Sequence, residues 1–394
     1  MKKVLIWDNF PLHNVGGASG YLYNLHEYLV HYPSAQIIFL SDILHTSPSS
    51  FPYVDTKFWK FCKKQFPRLY ANIHYAWRVY RSPLSPKDVD VNKYDFIHFH
   101  LIHQVLQFIR SYPYYAGKII VTSHCPSLLV DEMLTFNSRL FRFLRPLALY
   151  NEIKCYKHAD FWMFPCMEAR EPCEKEKSVS KLFTSNEKKF FYVPSAIIDR
   201  ICENNENGLR ATVGIPDDAF VIIFVGRHEE IKGYDVLIKL GDKLLSSISN
   251  LYIVCAGSGA IRPLSHPRWI ELGFVDNVSE WMSVSDAYIS LNKDTYFDLV
   301  TLEALRAGLH LFVSISGGNK YLCKAAEEES ASVVGVDIND HDSVIHQIAN
   351  LVNLKLTDED SYNCLKQRNR RLFIKRFSMS KYVCNYLSTI ETLK

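Results

Sequence analysis

The sequence predicts an α/β chain of two Rossmann-like domains, each a parallel sheet covered by helices. Short apolar runs bounded by turn or charge signals alternate with longer helical patterns through both halves, and those runs lack the strict alternation of a half-exposed sheet. A length of 394 residues exceeds one ordinary core and suits two domains of common size. Apolar residues make up 48% and charged residues 22%, the balance of a globular chain rather than a disordered one.

Taken in order, the strand candidates of the first half are Val4 to Trp7, Gln36 to Leu40, Phe96 to His100, Ile119 to Ser123 and Phe161 to Phe164. Those of the second are Val221 to Val225, Leu251 to Cys255, Trp269 to Leu272, Ala287 to Ser290 and His310 to Val313. Between them, after the lysine-rich stretch Lys175 to Lys189, Val193-Pro194-Ser195 reads as the linker, so the domains are expected at 1–193 and 194–376. Phe377, Tyr382, Tyr386 and Ile390 keep helical spacing, which predicts a final helix over 377–394 packing back toward the amino-terminal domain.

A net charge of +3 is too small for a nucleic-acid backbone binder, so no nucleic-acid partner is expected. Ten scattered cysteines form no Cys-x-x-Cys pair, which reads as reduced thiols in a cytoplasmic protein. Met1 to Trp7 reads as a first strand rather than a signal peptide, and no apolar run is long enough to span a bilayer. Between Lys57 and Arg81, however, seven Lys or Arg are interleaved with Trp59, Phe61, Phe66, Tyr70, Tyr75, Trp77 and Tyr80, with no acidic residue. Such a segment suits peripheral contact with an anionic membrane, or a core-facing helix with a basic outer face, and Pro67 interrupts any continuous stripe.

Chemistry is expected at strand ends, because open parallel sheets bind ligands at their carboxyl edges. Val221 to Val225 leads into Gly226-Arg227, with Lys232-Gly233 five residues later. Two cations beyond a buried strand suit a diphosphate; a solvated surface loop is the alternative. Glu303, within Val300 to Gly308, is placed to accept hydrogen bonds from sugar hydroxyls or to complement a helix dipole, and Asp294, Thr295 and Asp298 precede it. In the first half, Gly16-Gly17 and Gly20 either let a loop approach a phosphate or sugar, or form a tight turn. His98, His100 and His124 close two neighbouring strands, and none has the helical spacing of a metal pair.

These features together resemble a retaining glycosyltransferase of the GT-B fold, similar to glycosyltransferase family 4: two Rossmann-like domains whose parallel sheets face an interdomain cleft. The resemblance runs through Gly16-Gly17, His98, His100, Val121 to His124, Phe224 to Arg227, Lys232-Gly233, Ala256 to Gly259 and Leu272 to Val275. Its most specific block is Phe297 to Gly308. It implies a donor nucleotide sugar on the carboxyl-terminal domain and an acceptor on the amino-terminal one. Arg227 and Lys232 would grip the diphosphate and Glu303 the ribose. Gly257, Phe274 and Val275 would border the base, Gly226, Thr295, Asp298, Leu299 and Val300 would complete the donor site, and His124 would lie near the donor sugar. Gly17 would lie near phosphate and acceptor, with Gly16, His98 and His100 on the acceptor side. No cofactor and no metal are expected, because the two cations would stabilise the leaving nucleoside diphosphate.

Two departures fall where the donor sugar would be read. The family carries a glutamate eight positions before the ribose glutamate, and here that position is Thr295. Gly317-Gly318 is followed by Asn319-Lys320 where an acidic residue is common. The leading expectation is hexosyl transfer from a UDP- or GDP-type donor to a glycan or lipid-linked acceptor in surface polysaccharide or glycoconjugate synthesis, at the inner face of the membrane. The alternative is a non-catalytic relative that binds nucleotide or glycan and supports a partner transferase. An epimerase on the same fold fits the Arg227 to Lys232 spacing less well.

Overall fold

The structure is a computed structural model that describes residues 1–14, 16–44, 57–67, 70, 89–125, 127–131, 145–200 and 208–394. It divides into two compact units: Met1–Pro194 with Val383–Lys394, and Ser195–Tyr382.

The first unit is built on six parallel strands: β1 (Val4–Trp7), β2 (Ile37–Phe39), β3 (Phe96–Phe99), β4 (Lys118–Thr122), β5 (Phe161–Phe164) and β6 (Phe190–Tyr192), in the order β2-β1-β3-β4-β5-β6. Val4 pairs with Ile37 on one side and Phe96 on the other, which makes β1 an interior strand. All four β1 side chains are buried, so the strand has no solvent face; this is why its sequence shows no alternation. Trp7 anchors one end of the core, its ring 5.1 Å from Phe108 and 5.7 Å from Phe99. Edge strand β6 lies outside the strands expected from the sequence.

The second unit repeats the plan with β7 (Phe220–Val225), β8 (Leu251–Ala256), β9 (Trp269–Gly273), β10 (Ala287–Ser290), β11 (His310–Ser314) and β12 (Val333–Val336), ordered β12-β11-β10-β7-β8-β9 and all parallel. Phe220, Ile222 and Phe224 alternate onto one face of β7 and pack with Leu237, Leu240 and Leu244 of helix Tyr234–Ser247 and Val344 and Ile348 of helix His341–Thr357. Short β12 was also not expected from the sequence.

Each sheet has one point where successive connections leave in opposite directions, between β1 and β3 in the first and between β7 and β10 in the second. A crevice opens outside the carboxyl ends at such a point, because the flanking loops diverge. The final helix, Met379–Thr392, begins on the second unit, where Met379 N–H donates to Ile197 O at 3.0 Å. Beyond Tyr382 it is counted with the first unit, where Lys2 N–H donates to Glu391 Oε1 at 2.9 Å. Among the described residues, no helix is long and apolar enough to cross a membrane.

Candidate functional site

In the second unit the loops after β7 and β10 meet at the switch point. Gly233, in the left-handed region at φ 68°, lies so close to β10 that a β-carbon there would fall 1.9 Å from Leu291 O. Only glycine admits this approach. It places Lys232 beside the β10 loop, where Nζ donates to Asp298 Oδ2 at 2.8 Å; Asn292 Nδ2 donates to the same oxygen. Asp298 is the residue before helix Leu299–Arg306, yet its side chain makes no capping bond and is spent on the two donors. The ion pair therefore ties the loop carrying Arg227 and Lys232 to the helix carrying Leu299, Val300 and Glu303.

Arg227 is about half exposed and pairs with Glu229 at 3.0 Å. Gly226 lies against the β8 end, where a β-carbon on Gly257 would fall 2.0 Å from Gly226 O, and Gly257 N–H donates to Gly273 O at 2.7 Å. The ends of β7, β8 and β9 thus converge, followed by exposed Phe274 and half-buried Val275. Burial raises the Glu303 carboxyl above the ordinary carboxylate value, with Arg306 opposing, and no side-chain hydrogen bond holds it among the described residues. Such a carboxylate gains from hydroxyl donors that replace lost water.

In the first unit, Gly16 and Gly17 both have positive φ, and nothing lies within 4 Å of a β-carbon built at either. They open helix Gly17–His31, which presents Tyr21 5.5 Å from the His100 ring and 4.7 Å from the His124 ring. His100 Nδ1 and His124 Nε2 share a hydrogen bond of 2.8 Å. One nitrogen must donate and the other accept, so the two rings cannot both be protonated. Burial pushes His124 down to about 3, and burial with the neighbouring rings holds His98 and His100 well below the ordinary imidazole value.

These groups dictate an acid-sensitive fold. A histidine depressed in the native state takes up its proton on unfolding, so its contribution to stability falls as pH drops below about 6.5. Glu152, raised to about 7 by burial against the hydrogen bonds it accepts from Val130 and Leu129 N–H, acts in the opposite sense between pH 4.5 and about 7. Each uncompensated proton is worth about 1.4 kcal/mol per pH unit, and three histidines outweigh Glu152 and Asp8, whose carboxyl burial also raises. The urea midpoint of the first unit is expected to fall steadily from pH 6.5 to 5; a flat profile would contradict the buried neutral histidines.

Three expectations are corrected. His98 does not face an open acceptor surface: it is fully buried, with Nδ1 2.9 Å from Tyr386 Oη and Nε2 2.7 Å from Thr122 Oγ1, so it ties the final helix to β4. His100 is likewise buried and acts on His124 rather than facing solvent. Thr295 is fully buried with Oγ1 3.1 Å from Ser316 Oγ, because the β10 loop turns it inward under Gly317. Asn319 is also buried and donates to Ser314 O at 3.1 Å. Both departures from the family pattern are thus absorbed by the fold.

Asp298 is placed at the site, with its carboxylate committed to Lys232 and Asn292. Asn292 escaped the sequence reading, since it carries no charge and lies in no recognisable pattern, and Tyr386 was read only through the helical spacing of the final helix. Among the described residues, no three His, Cys, Asp or Glu side chains converge as a metal site. Of the basic aromatic segment, helix Lys57–Gln65 shows Lys60, Lys63 and Lys64 exposed beside exposed Phe61 and Phe66. Tyr75, Trp77, Tyr80 and the other residues of 71–81 lie outside the described residues.

Residues 219–353 match the family described as glycosyl transferases group 1. The matched stretch lies wholly within the second unit. The chain has the GT-B fold: it superposes over its whole length on all of the Anabaena HepE structure in complex with UDP and glucose, with a TM-score of 0.63 at 13% identity. The trehalose-6-phosphate synthase OtsA is similar, with a TM-score of 0.62 at 12% identity and full coverage of both chains. Among curated relatives, the D-inositol 3-phosphate glycosyltransferase of Streptosporangium roseum is 27% identical over 134 residues, 29% of this chain and 31% of the relative. An uncharacterized glycosyltransferase of Methanocaldococcus jannaschii is 32% identical over 120 residues, 28% of this chain and 30% of the relative. These matches span about a third of each curated relative, and this GT-B chain shares with them a domain-sized stretch.

Proposed function

We propose that this chain is a retaining, metal-independent glycosyltransferase. It moves a hexosyl group from a UDP- or GDP-type donor to a glycan or lipid-linked acceptor in surface polysaccharide or glycoconjugate synthesis. The observation that carries the reading is the switch-point cluster in which Lys232 is tied through Asp298 to the helix of Glu303, with Arg227 at the other end of the same loop. Two cations and the N–H groups at the strand ends suit a diphosphate, and Glu303 suits vicinal hydroxyls of a ribose. The structure of Anabaena HepE with UDP and glucose supports the UDP-type alternative.

In this mechanism the bond between the anomeric carbon and the diphosphate oxygen breaks, and its electron pair leaves with the nucleoside diphosphate. Arg227 and Lys232 stabilise that charge where it develops. The acceptor hydroxyl forms the new bond on the same face, and its proton passes to the departing phosphate. His124, neutral, offers a hydrogen bond to the donor sugar and no charge. Exposed Lys60, Lys63 and Lys64 beside Phe61 and Phe66 support peripheral contact with an anionic membrane at its cytoplasmic face.

A thermal-shift screen against UDP, GDP, CDP, TDP and their sugar conjugates, without added metal, tests the donor site. A ligand at a hundred times its Kd is expected to add about 2.7 kcal/mol of stability. No shift with any of them would reject the donor assignment. Burial of Thr295 favours one rival, a nucleotide- or glycan-binding relative that supports a partner transferase. That rival binds ligand yet releases no nucleoside diphosphate when acceptor is supplied.

A further inference from the structure

Arg227 and Lys232 stand at opposite ends of one loop, and beside each lies a ring of a single stacked pair. His228 follows Arg227, Tyr234 follows Gly233, and their rings are parallel to within 2° with centroids 3.8 Å apart. Tyr234 Oη donates to Glu271 Oε1 at 2.5 Å, Trp269 Nε1 donates to the same oxygen at 2.6 Å, and Glu271 Oε2 lies 3.6 Å from His228 Nε2. The His228 backbone is pinned as well: its N–H donates to Ser258 O at 3.0 Å and its carbonyl accepts from Ile261 N–H at 3.2 Å.

Packing alone does not ask for this arrangement. An apolar residue at 271 would fill the same space on β9, whereas the carboxylate fixes the orientation of the Tyr234 and Trp269 rings around one oxygen. Burial holds His228 below the ordinary imidazole range, with Glu271 opposing, so the stack adds no cation beside Arg227. On the other side the loop is held by Asp298 through Lys232. A loop clamped toward both β9 and β10 loses little freedom when its cations engage a ligand.

We propose that the His228–Tyr234 stack, anchored by Glu271, is a positioning device that sets where Arg227 and Lys232 present their charge to a bound nucleoside diphosphate. The proposal rests on the reading of this loop as the diphosphate site. His228, Tyr234 and Glu271 are then positioning residues, acting through the cations without touching the ligand.

The test is calorimetric binding of UDP, GDP, CDP and TDP, with kcat and KM for the accepted donor and the thermal midpoint as a check on folding. His228→Ala is expected to raise the Kd of the preferred nucleotide about tenfold and lower kcat, while His228→Phe, which restores a ring, returns Kd to within about threefold of wild type. Tyr234→Phe, which keeps the stack and removes the hydroxyl on Glu271, is expected to raise Kd about threefold and provides the milder variant should His228→Ala unfold. In an Arg227→Ala background the effect of His228→Ala is expected to shrink by at least about threefold, since part of what it positions is gone. An unchanged Kd in His228→Ala and Tyr234→Phe, or an undiminished effect in the Arg227→Ala background, would overturn the positioning role while leaving the donor site intact. A wild type that binds none of the four nucleotides would overturn the donor site and the positioning role with it.

Discussion

Replacing Arg227 or Lys232 by alanine is expected to lower kcat by roughly a hundredfold each, the usual cost of losing one group aimed at charge that develops in the transition state. The two losses differ in character. Arg227 is half exposed and its partner Glu229 is free to turn to solvent, so Arg227→Ala removes a cation and leaves no buried carboxylate behind. Lys232→Ala also leaves the Asp298 carboxylate held by Asn292 alone, an uncompensated negative charge facing the incoming diphosphate. Its cost is therefore expected to exceed that of Arg227→Ala and to appear in KM as well as kcat. Both pairs are partly exposed, so stability should change by less than about 1 kcal/mol. Steady-state kinetics with the donor identified by thermal shift, alongside the thermal midpoint, checks this. A rise in KM at constant kcat would mean uniform binding rather than transition-state stabilisation, and unchanged kinetics in both variants would reject the assignment.

Most of the fold could be read from the sequence because parallel strands buried on both faces leave an apolar run that needs no partner information. Val4–Trp7, Phe161–Phe164 and Ala287–Ser290 have the bounds expected, and the other strands expected from the sequence differ by a residue or so at their ends. The two strands that escaped notice explain themselves. Phe190–Tyr192 and Val333–Val336 lie at sheet edges and are only three and four residues long; the first is a short apolar run directly behind the lysine-rich stretch, and the second is interrupted by Gly335. Pairing with β5 and β11 supplies the hydrogen bonds of these edges.

The candidate site was legible where glycine and charge coincide and illegible where side chains brought together by the fold hold the geometry. Gly226, Arg227, Lys232 and Glu303 stand out by type and spacing. Asn292 does not, although it shares Asp298 with Lys232, and neither do Tyr234 and Glu271, whose meeting depends on the register of β9 against β8. The strand-end histidines show the limit from the other side. Position at a carboxyl edge marks them as candidates, but only the packing of Tyr386 and Thr122 reveals that His98 is consumed internally. Burial likewise separates Thr295, turned into the β10 loop, from the ligand-facing role its place in the chain suggests.

Removing Asp286 is expected to be the most destabilising single change in the second unit. This residue precedes β10, at the edge of the sheet opposite the carboxyl ends that carry the site, and it is buried with four donors around it. Oδ1 accepts from Lys355 Nζ at 2.6 Å and Tyr362 Oη at 2.8 Å; Oδ2 accepts from Val221 N–H at 2.8 Å and Arg210 Nη2 at 3.2 Å. Burial alone would raise its pKa, but Lys355 and the hydrogen bonds outweigh that and hold it below the ordinary aspartate value. Asp286→Ala leaves two cations, the Tyr362 hydroxyl and a backbone N–H without this acceptor, a loss of about 3–5 kcal/mol for a broken buried ion pair. Asp286→Asn keeps one acceptor oxygen and should lie between. Because the native pKa is depressed, the contribution is present above about pH 4 and is lost as pH falls through the native value. Urea unfolding of wild type and both variants at pH 7 and pH 3 measures it. The gap between wild type and Asp286→Ala should narrow at the lower pH; a gap below about 1 kcal/mol at pH 7 would show the network to be dispensable. Nucleotide affinity should be unaffected in whatever fraction remains folded, since none of these donors lies at the carboxyl edge, and this separates the residues that hold the sheet from those that use it.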